Sequence, residues 1–362
     1  MKATKQLSSA GQSIWLDNIT RELLSTGTLA EYIRDLSVTG LTSNPTIFDK
    51  ALRHGTSYDT SLRARARPGI SHEQLFFELA LDDITRAADL FLPIHERTAG
   101  VDGWVSLEVS PLLASDAKST LAEAKDLHAR AKRANLFIKI PGTADGLEAI
   151  EESIFAGIPI NVTLIFSAKQ YQAAAEAWLR GVERRIEAGL NPSVGSVASM
   201  FVSRWDVAVA GKVPAPLDNK LGIAVAQQIH KVYSKLLESA RWRRALNAGA
   251  RPQRLLFAST GTKDPKASDV LYVEELIAPL TVNTMPEGTL HAFAAHGKVG
   301  RELSPDGGDS AEVLLEFTRS GVDLEGLSTR LQEEGAAAFV SSWQDLLGVI
   351  ASKTTAAGKE QS

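Results

Sequence analysis

The 362-residue sequence contains no cysteine. Disulfides, thiolate nucleophiles and cysteine-ligated metals are therefore excluded, and a reducing compartment suits the chain without being required. Nor is there an excess of positive charge. The formal net charge is -4, so no global field favours nucleic acid or an anionic membrane, although local basic residues can still hold a phosphorylated small molecule. The N-terminus, MKATKQLSSAGQSIWLDNI, lacks the apolar core of a signal peptide, and no run is long enough to span a bilayer. The expectation is a soluble, cytoplasmic protein with neither a membrane nor a nucleic-acid partner. Seven histidines occur, none in HxH or HExxH spacing, so no metal site is expected. What is present is ordinary for a globular chain: 44% hydrophobic and 23% charged residues, enough to bury a full core.

Short apolar runs rich in β-branched residues alternate with longer amphipathic stretches. The runs read as strands are 13–17, 38–44, 103–110, 136–141, 159–166, 196–203, 254–260 and 281–284. Helical patterns separate them: in DAKSTLAEAKDLHARAKRA, Leu121, Ala124, Leu127 and Ala131 fall on one face. Strands joined by helices point to a parallel sheet, since parallel neighbours need crossover elements. Closing eight β/α units on themselves gives a (β/α)8 TIM barrel, the α/β fold expected here. The alternative is an open doubly wound sheet, but SIWLDNITREL carries no glycine of a dinucleotide fingerprint.

Two regions stand outside the repeat. The barrel is expected to occupy 1–300, with an extra helical insertion at about 53–100. Residues 301–362 are expected to form a C-terminal helical extension, in which Val313, Leu314, Phe317, Trp343, Leu346 and Leu347 can pack on the barrel. SPDGGDS at 304–310 reads as a linker, and TTAAGKEQS at the end as disordered.

At Lys139 a charge interrupts LFIKIPG, flanked by Phe137, Ile138, Ile140 and Pro141. A mid-strand lysine in a parallel sheet points into the barrel or into the helix layer, and both are dry. Desolvation disfavours an ammonium ion, and a free amine attacks carbonyls to give the Schiff base of covalent catalysis. A lysine paired with a carboxylate, or snorkelling to water, is the structural alternative. Polar residues on other strands bear on the choice. Asp17 ends SIWLD, and Glu108 lies in VSLEVS. Asn161 and Thr163 share a face of INVTLIF that alternation continues to Ile165, with Val162, Leu164 and Phe166 opposite. Converging on a lysine, these groups make a metal-free proton-handling site; a purely structural network is the other reading. Asn44, before Pro45, is either the N-cap of the next helix or a substrate-binding amide. Ser199 and Ser203 share a face of the strand that Arg204 ends, and Ser259 and Lys263 lie in the polar loop FASTGTKD. Hydroxyls, backbone N–H groups and cations of this kind suit a phosphate.

Nine segments run in order from about residue 15 to 290: WLDNI, VTGLTSNPTIF, VSLEV, NLFIKIPGT, INVTLIFS, SVASMFVSR, ASTGTKDP, LYVEELIAP and VNTMPEGTL. Together they resemble the transaldolases, Schiff-base enzymes of the class I aldolase superfamily, and VNTMPE with FVSR looks like a long-form bacterial subgroup. The resemblance implies a (β/α)8 barrel whose strand order is permuted relative to other class I aldolases. It implies transfer of a dihydroxyacetone unit from sedoheptulose 7-phosphate to glyceraldehyde 3-phosphate, without metal or organic cofactor. Sugar phosphates are then the partners, and the chain is a monomer or a homodimer. Carried over residue by residue, Lys139 is the Schiff-base lysine, and Glu108 is an acid/base working through a water that Thr163 helps to hold. Asp17 manages protons beside the breaking carbon–carbon bond. Asn44, Asn161 and Ser199 bind the three-carbon unit, while Arg204, Ser259 and Lys263 are left for phosphate. Two departures stand out: Lys263 occupies a place where the family has arginine, and EVSPL puts Ser110 and Leu112 where it has aspartate and arginine.

Overall fold

The computed structural model of the protein describes residues 1–359. Helix α1 (Ala3–Ser9) leads into β1 (Ser13–Leu16), and two short helices, α2 (Arg21–Ser25) and α3 (Thr28–Asp35), precede β2 (Val38–Leu41). Three helices follow, α4 (Pro45–His54), α5 (Asp59–Arg65) and α6 (His72–Arg97). Then β3 (Val105–Glu108), α7 (Ala117–Ala131), β4 (Leu136–Pro141), α8 (Ala144–Phe155), β5 (Ile160–Ile165) and α9 (Ala168–Glu187) alternate. Strand β6 (Ser196–Phe201) is followed by α10 (Ser203–Val209), α11 (Leu221–Glu238) and α12 (Ala240–Asn247). The barrel ends with β7 (Gln253–Ala258), α13 (Leu271–Glu275), β8 (Val282–Met285) and α14 (Glu287–His296). Two further helices, α15 (Ser310–Arg319) and α16 (Leu324–Lys359), complete the described chain.

All eight strands are parallel and close in sequence order, with β1 pairing both β2 and β8. This is the (β/α)8 barrel. The strands stop short of their apolar runs, and that shortening has a use. Pairing on β1 ends at Leu16 and on β2 at Leu41, which leaves Asp17 and Thr42–Asn44 in the loops at the C-terminal edge. Strand β5 contains an irregularity. It pairs with β6 from Ile160↔Ser196 to Val162↔Ala198 and resumes at Ile165↔Met200, so three steps match two. Leu164 absorbs the extra residue at φ +59°, a left-handed conformation that costs a leucine about 1–2 kcal/mol. The alternation expected through Ile165 therefore fails after Thr163, and Ile165 falls on the Val162 side.

The barrel interior is layered. Below the site, Trp104 stacks on Phe137 with ring centroids 4.1 Å apart, and Trp15 lies 6.0 Å from the same ring. Gly40 makes room for them, since a Cβ there would stand 2.6 Å from the Trp104 carbonyl and 2.8 Å from the Trp15 indole. A buried polar plug closes the lower end: Arg254 donates to Ser13 Oγ at 2.7 Å, Ser13 donates to Asp102, and Trp15 Nε1 donates to Asp102 at 2.8 Å. The Arg254, Ser13, Asp102 and Trp15 groups of this plug are all hydrogen-bonded, as a dry interior favours.

Of the stretch 53–100, α6 packs on β2, β3 and α7, where a crossover helix belongs, and α5 is the added piece. A capping box of Ser71 and Gln74 starts α6. In the C-terminal extension Phe317, Trp343 and Leu346 are buried, and Val313, Leu314 and Leu347 are partly so. Residues 304–309 form the connecting loop before α15. The tail expected to be disordered from Thr354 is helical to Lys359, and 360–362 lie outside the described residues. No helix among the described residues is long and apolar enough to cross a membrane.

Candidate active site

Parallel pairing brings Glu108 of β3, Lys139 of β4 and Asn161 of β5 to one level, each the register partner of the next. Lys139 is buried, and its Nζ donates to the Ser43 carbonyl at 3.1 Å and to Glu108 Oε2 at 3.2 Å. An ammonium has three donors, so these two acceptors orient the group without exhausting it. Burial pushes the Glu108 carboxyl up, against the pull of the Lys139 charge and its hydrogen bond. Asp17, just past β1, is also pushed up by burial, while Lys139, a 2.9 Å hydrogen bond from Thr42 and the charge of Lys263 oppose it. Two carboxyls poised above the usual carboxylate range beside one lysine make an acid/base cluster.

A cavity of about 310 Å³ opens at this end of the barrel. Lys139, Asp17, Asn44, Thr163, Ser199 and Arg204 all line it, together with Ser259 and Lys263. Eight of the ten residues singled out from the sequence thus share one wall. The other two stand behind it. Asn161 is fully buried, donating to Ser106 Oγ at 3.2 Å and accepting from Ser199 Oγ at 2.7 Å, so it meets the cavity through Ser199. Glu108 meets it through Lys139. Glu108 Oε1 and Thr163 Oγ1 are buried with no hydrogen-bond partner among the described residues, on the two strands that flank Lys139.

Of the two readings offered for Asn44, the structure shows the helix cap. Its Oδ1 accepts from the Ile47 N–H at 3.1 Å and caps α4, with Pro45 in the first turn, and it also lines the cavity. Capping occupies the oxygen and leaves the amide NH2 to offer. Past β7, Ser259 takes φ +57°, and its hydroxyl meets that of Ser203 at 2.8 Å. Arg204 lies over the Phe201 ring at 5.2 Å; burial lowers its pKa and the Glu334 charge opposes that.

Other lining residues were not anticipated. Lys50 of α4 adds a further cation to the cavity, and Phe339 of α16 contributes a ring whose centroid is 5.4 Å from Lys139 Nζ. Nothing in the sequence marks either one, because a lysine or a phenylalanine on an amphipathic helix fits solvent or core equally well. Thr42 and Thr284, which also line the cavity and share a 2.8 Å hydrogen bond, were findable as polar residues ending apolar runs. At the EVSPL departure, the Ser110 N–H donates to Glu123 of α7 at 2.5 Å. A larger groove of about 640 Å³ beside α15 and α16 is mostly apolar and lacks a comparable cluster of reactive groups. Among the described residues no group of three or more His, Cys, Asp or Glu is placed to hold a metal.

Comparison with known proteins identifies a family. The family described as Transaldolase/Fructose-6-phosphate aldolase matches residues 14–350, a span that includes every residue lining the cavity. A transaldolase of Parafrankia sp. is 47% identical over 358 residues, covering 96% of this chain and 97% of its own. Transaldolases of Thermobifida fusca and Frankia alni are 46% and 44% identical, over 97% and 98% of this chain and 98% of each of theirs. With matches that run nearly end to end, the chain belongs to the transaldolase/fructose-6-phosphate aldolase family.

Proposed function

We propose that Lys139 is the Schiff-base residue of this site and that Asp17, Glu108 and Thr163 manage the protons around it. The activity is that of a transaldolase, a transferase. A dihydroxyacetone unit passes from sedoheptulose 7-phosphate to glyceraldehyde 3-phosphate, giving erythrose 4-phosphate and fructose 6-phosphate. The observation that carries the residue assignment is a buried amine on the wall of a cavity, 3.2 Å from a carboxylate.

In this scheme the Lys139 amine attacks the ketose carbonyl carbon, and loss of water leaves a cationic iminium that draws electrons from the neighbouring bond. Asp17 takes the proton from the hydroxyl beside the breaking carbon–carbon bond, and the aldose phosphate leaves. Burial holds Asp17 where it can both accept that proton and return it. Glu108 works through a water shared with Thr163; the open hydrogen-bonding capacity of Glu108 Oε1 and Thr163 Oγ1 supports that role. The enamine then attacks the acceptor aldehyde, and hydrolysis returns the amine to Lys139.

Asn44 offers its amide NH2 to the three-carbon unit, and Ser199 its hydroxyl, with Asn161 acting through Ser199. Arg204, Lys263 and Lys50, with Ser259, hold the phosphate; none of the three cations has a carboxylate in hydrogen-bonding contact among the described residues. The scheme uses no cofactor. A cytoplasmic monomer or homodimer, with residues 1–300 as the catalytic barrel, is the setting it assumes.

Borohydride reduction in the presence of fructose 6-phosphate tests the assignment. The expected result is a covalent adduct on Lys139 that Lys139→Ala does not form; a wild-type protein left unmodified sinks the proposal. The family's description also names an aldolase activity. Release of free dihydroxyacetone without transfer to an acceptor would favour that second reading.

A further inference from the structure

The C-terminal helix α16 crosses the open end of the barrel on a single face. Gln332 Nε2 donates to the carbonyls of Gly142 and Leu164 at 3.1 and 2.9 Å, joining the ends of β4 and β5. One turn on, Gly335 lies so close that a Cβ would stand 2.8 Å from the Leu164 side chain and 3.3 Å from Arg204 Nη1. Ser342 shares a 2.7 Å hydrogen bond with Thr46 of α4, and Trp343 packs edge-on against Phe76 of α6 at 4.9 Å. Further along, Lys353 donates to Asp59 of α5 at 2.6 Å. These anchors fall on one face of the helix and fix it on both sides of the cavity.

Phe339 falls midway between the anchors. It is 5% exposed, lines the cavity and holds its ring 5.4 Å from Lys139 Nζ. A phenyl group donates and accepts no strong hydrogen bond, so it does not grip a polyhydroxylated substrate. Placed over the one atom that becomes bonded to the substrate, it displaces solvent. The surrounding wall mixes polar groups, among them Asp17, Thr163 and Ser199, with the apolar Ile47, Phe201, Ala258 and Pro286, and it is the Phe339 ring that lies over Lys139 Nζ.

We propose that Phe339 is a specificity-determining residue: it shields the enamine formed on Lys139 from water and thereby biases the enzyme toward transfer over release. The inference rests on the transaldolase reading above. Release needs a proton delivered from water to the enamine carbon; water then adds to the iminium carbon, the C–N bond breaks and free dihydroxyacetone departs. Transfer forms a carbon–carbon bond between that same enamine carbon and the acceptor carbonyl carbon, whose oxygen takes the proton. Both routes share the enamine, so the ratio of their rates reports water access to that carbon rather than general damage.

The test uses the full chain with fructose 6-phosphate as donor. Free dihydroxyacetone is measured without acceptor, and sedoheptulose 7-phosphate is measured with erythrose 4-phosphate as acceptor. The release-to-transfer ratio is expected to rise in the order Phe339, Phe339→Leu, Phe339→Val, Phe339→Ala, reaching about tenfold or more at alanine, with the borohydride adduct on Lys139 retained. If the alanine protein does not fold, the leucine and valine proteins still decide the trend. A flat ratio with both rates falling together overturns the role of Phe339 and leaves the transaldolase reading standing. A wild-type protein that forms no adduct and transfers nothing sinks both.

Discussion

Lys139 is the side chain to which the proposed chemistry is assigned, and its hydrogen-bond partners explain how a lysine can be buried on the cavity wall. A buried charge needs compensation, which Glu108 and the Ser43 carbonyl supply at hydrogen-bond distance. The carboxyls of Asp17 and Glu108 beside it are both pushed up by burial, against the pull of the Lys139 charge. At the phosphate end of the proposed site the single-residue question is Lys263, which lines the cavity. A lysine is a point charge rather than a bidentate fork. Lys263→Ala is expected to raise KM for phosphorylated donors by about 10- to 100-fold, in keeping with the loss of one charge-assisted hydrogen bond. Its kcat should change little. Steady-state kinetics check this, and a fall in kcat at unchanged KM would place Lys263 at the reacting atoms instead.

Elements hold these side chains through their ends. The cap on α4 fixes Asn44, the short strands leave Asp17 and Thr42 at the rim, and the β5 bulge turns Leu164 toward α16. The junction between β3 and α7 carries a titratable device. Burial pushes the Glu123 carboxyl up to about 7, with the hydrogen bond from the Ser110 N–H opposing the shift. The folded state then binds more protons than the unfolded chain between about 4.5 and about 7, so stability falls as pH rises through that window. Glu123→Gln keeps an acceptor for Ser110 and removes the ionisation. The variant is expected to match wild type near the bottom of the window and to exceed it by about 2 kcal/mol at about pH 8. Urea unfolding at the two pH values measures the difference, and equal slopes against pH would refute it.

For the whole molecule, the C-terminal extension is bound into the same structure as the barrel. Trp343, 1% exposed, packs between Phe76 and Phe77 at 4.9 and 5.5 Å, on the helix that also carries Phe339 and Gln332. Trp343→Ala leaves a large cavity under α16 and is expected to cost about 3–5 kcal/mol of stability. It should also lower transfer activity under conditions where the protein remains folded, because the roof over Lys139 loosens. Chemical denaturation and transfer assays on the same preparation check both halves. Loss of stability with unchanged activity would show that α16 is seated independently of Trp343.

The eight strands, their parallel closure and the buried lysine on β4 were all legible in the sequence. Burying a parallel strand on both faces demands a continuous apolar run, and a charge inside such a run is conspicuous wherever it occurs. Polar residues ending those runs were legible for the same reason, and eight of the ten named residues share the cavity wall. The rest depended on three-dimensional neighbours. Residue alternation carries no signal of a bulge, so Ile165 was put on the wrong face until the pairing with Met200 placed it. Asn161 and Ser199 look equally polar in sequence, yet only packing depth decides which of them reaches the cavity. Phe339 lies 200 residues from Lys139 along the chain and 5.4 Å from it in space. An apolar residue on an amphipathic helix announces that it will be buried. What it is buried against, a neighbouring helix or the amine of an active site, is settled only when the helix docks.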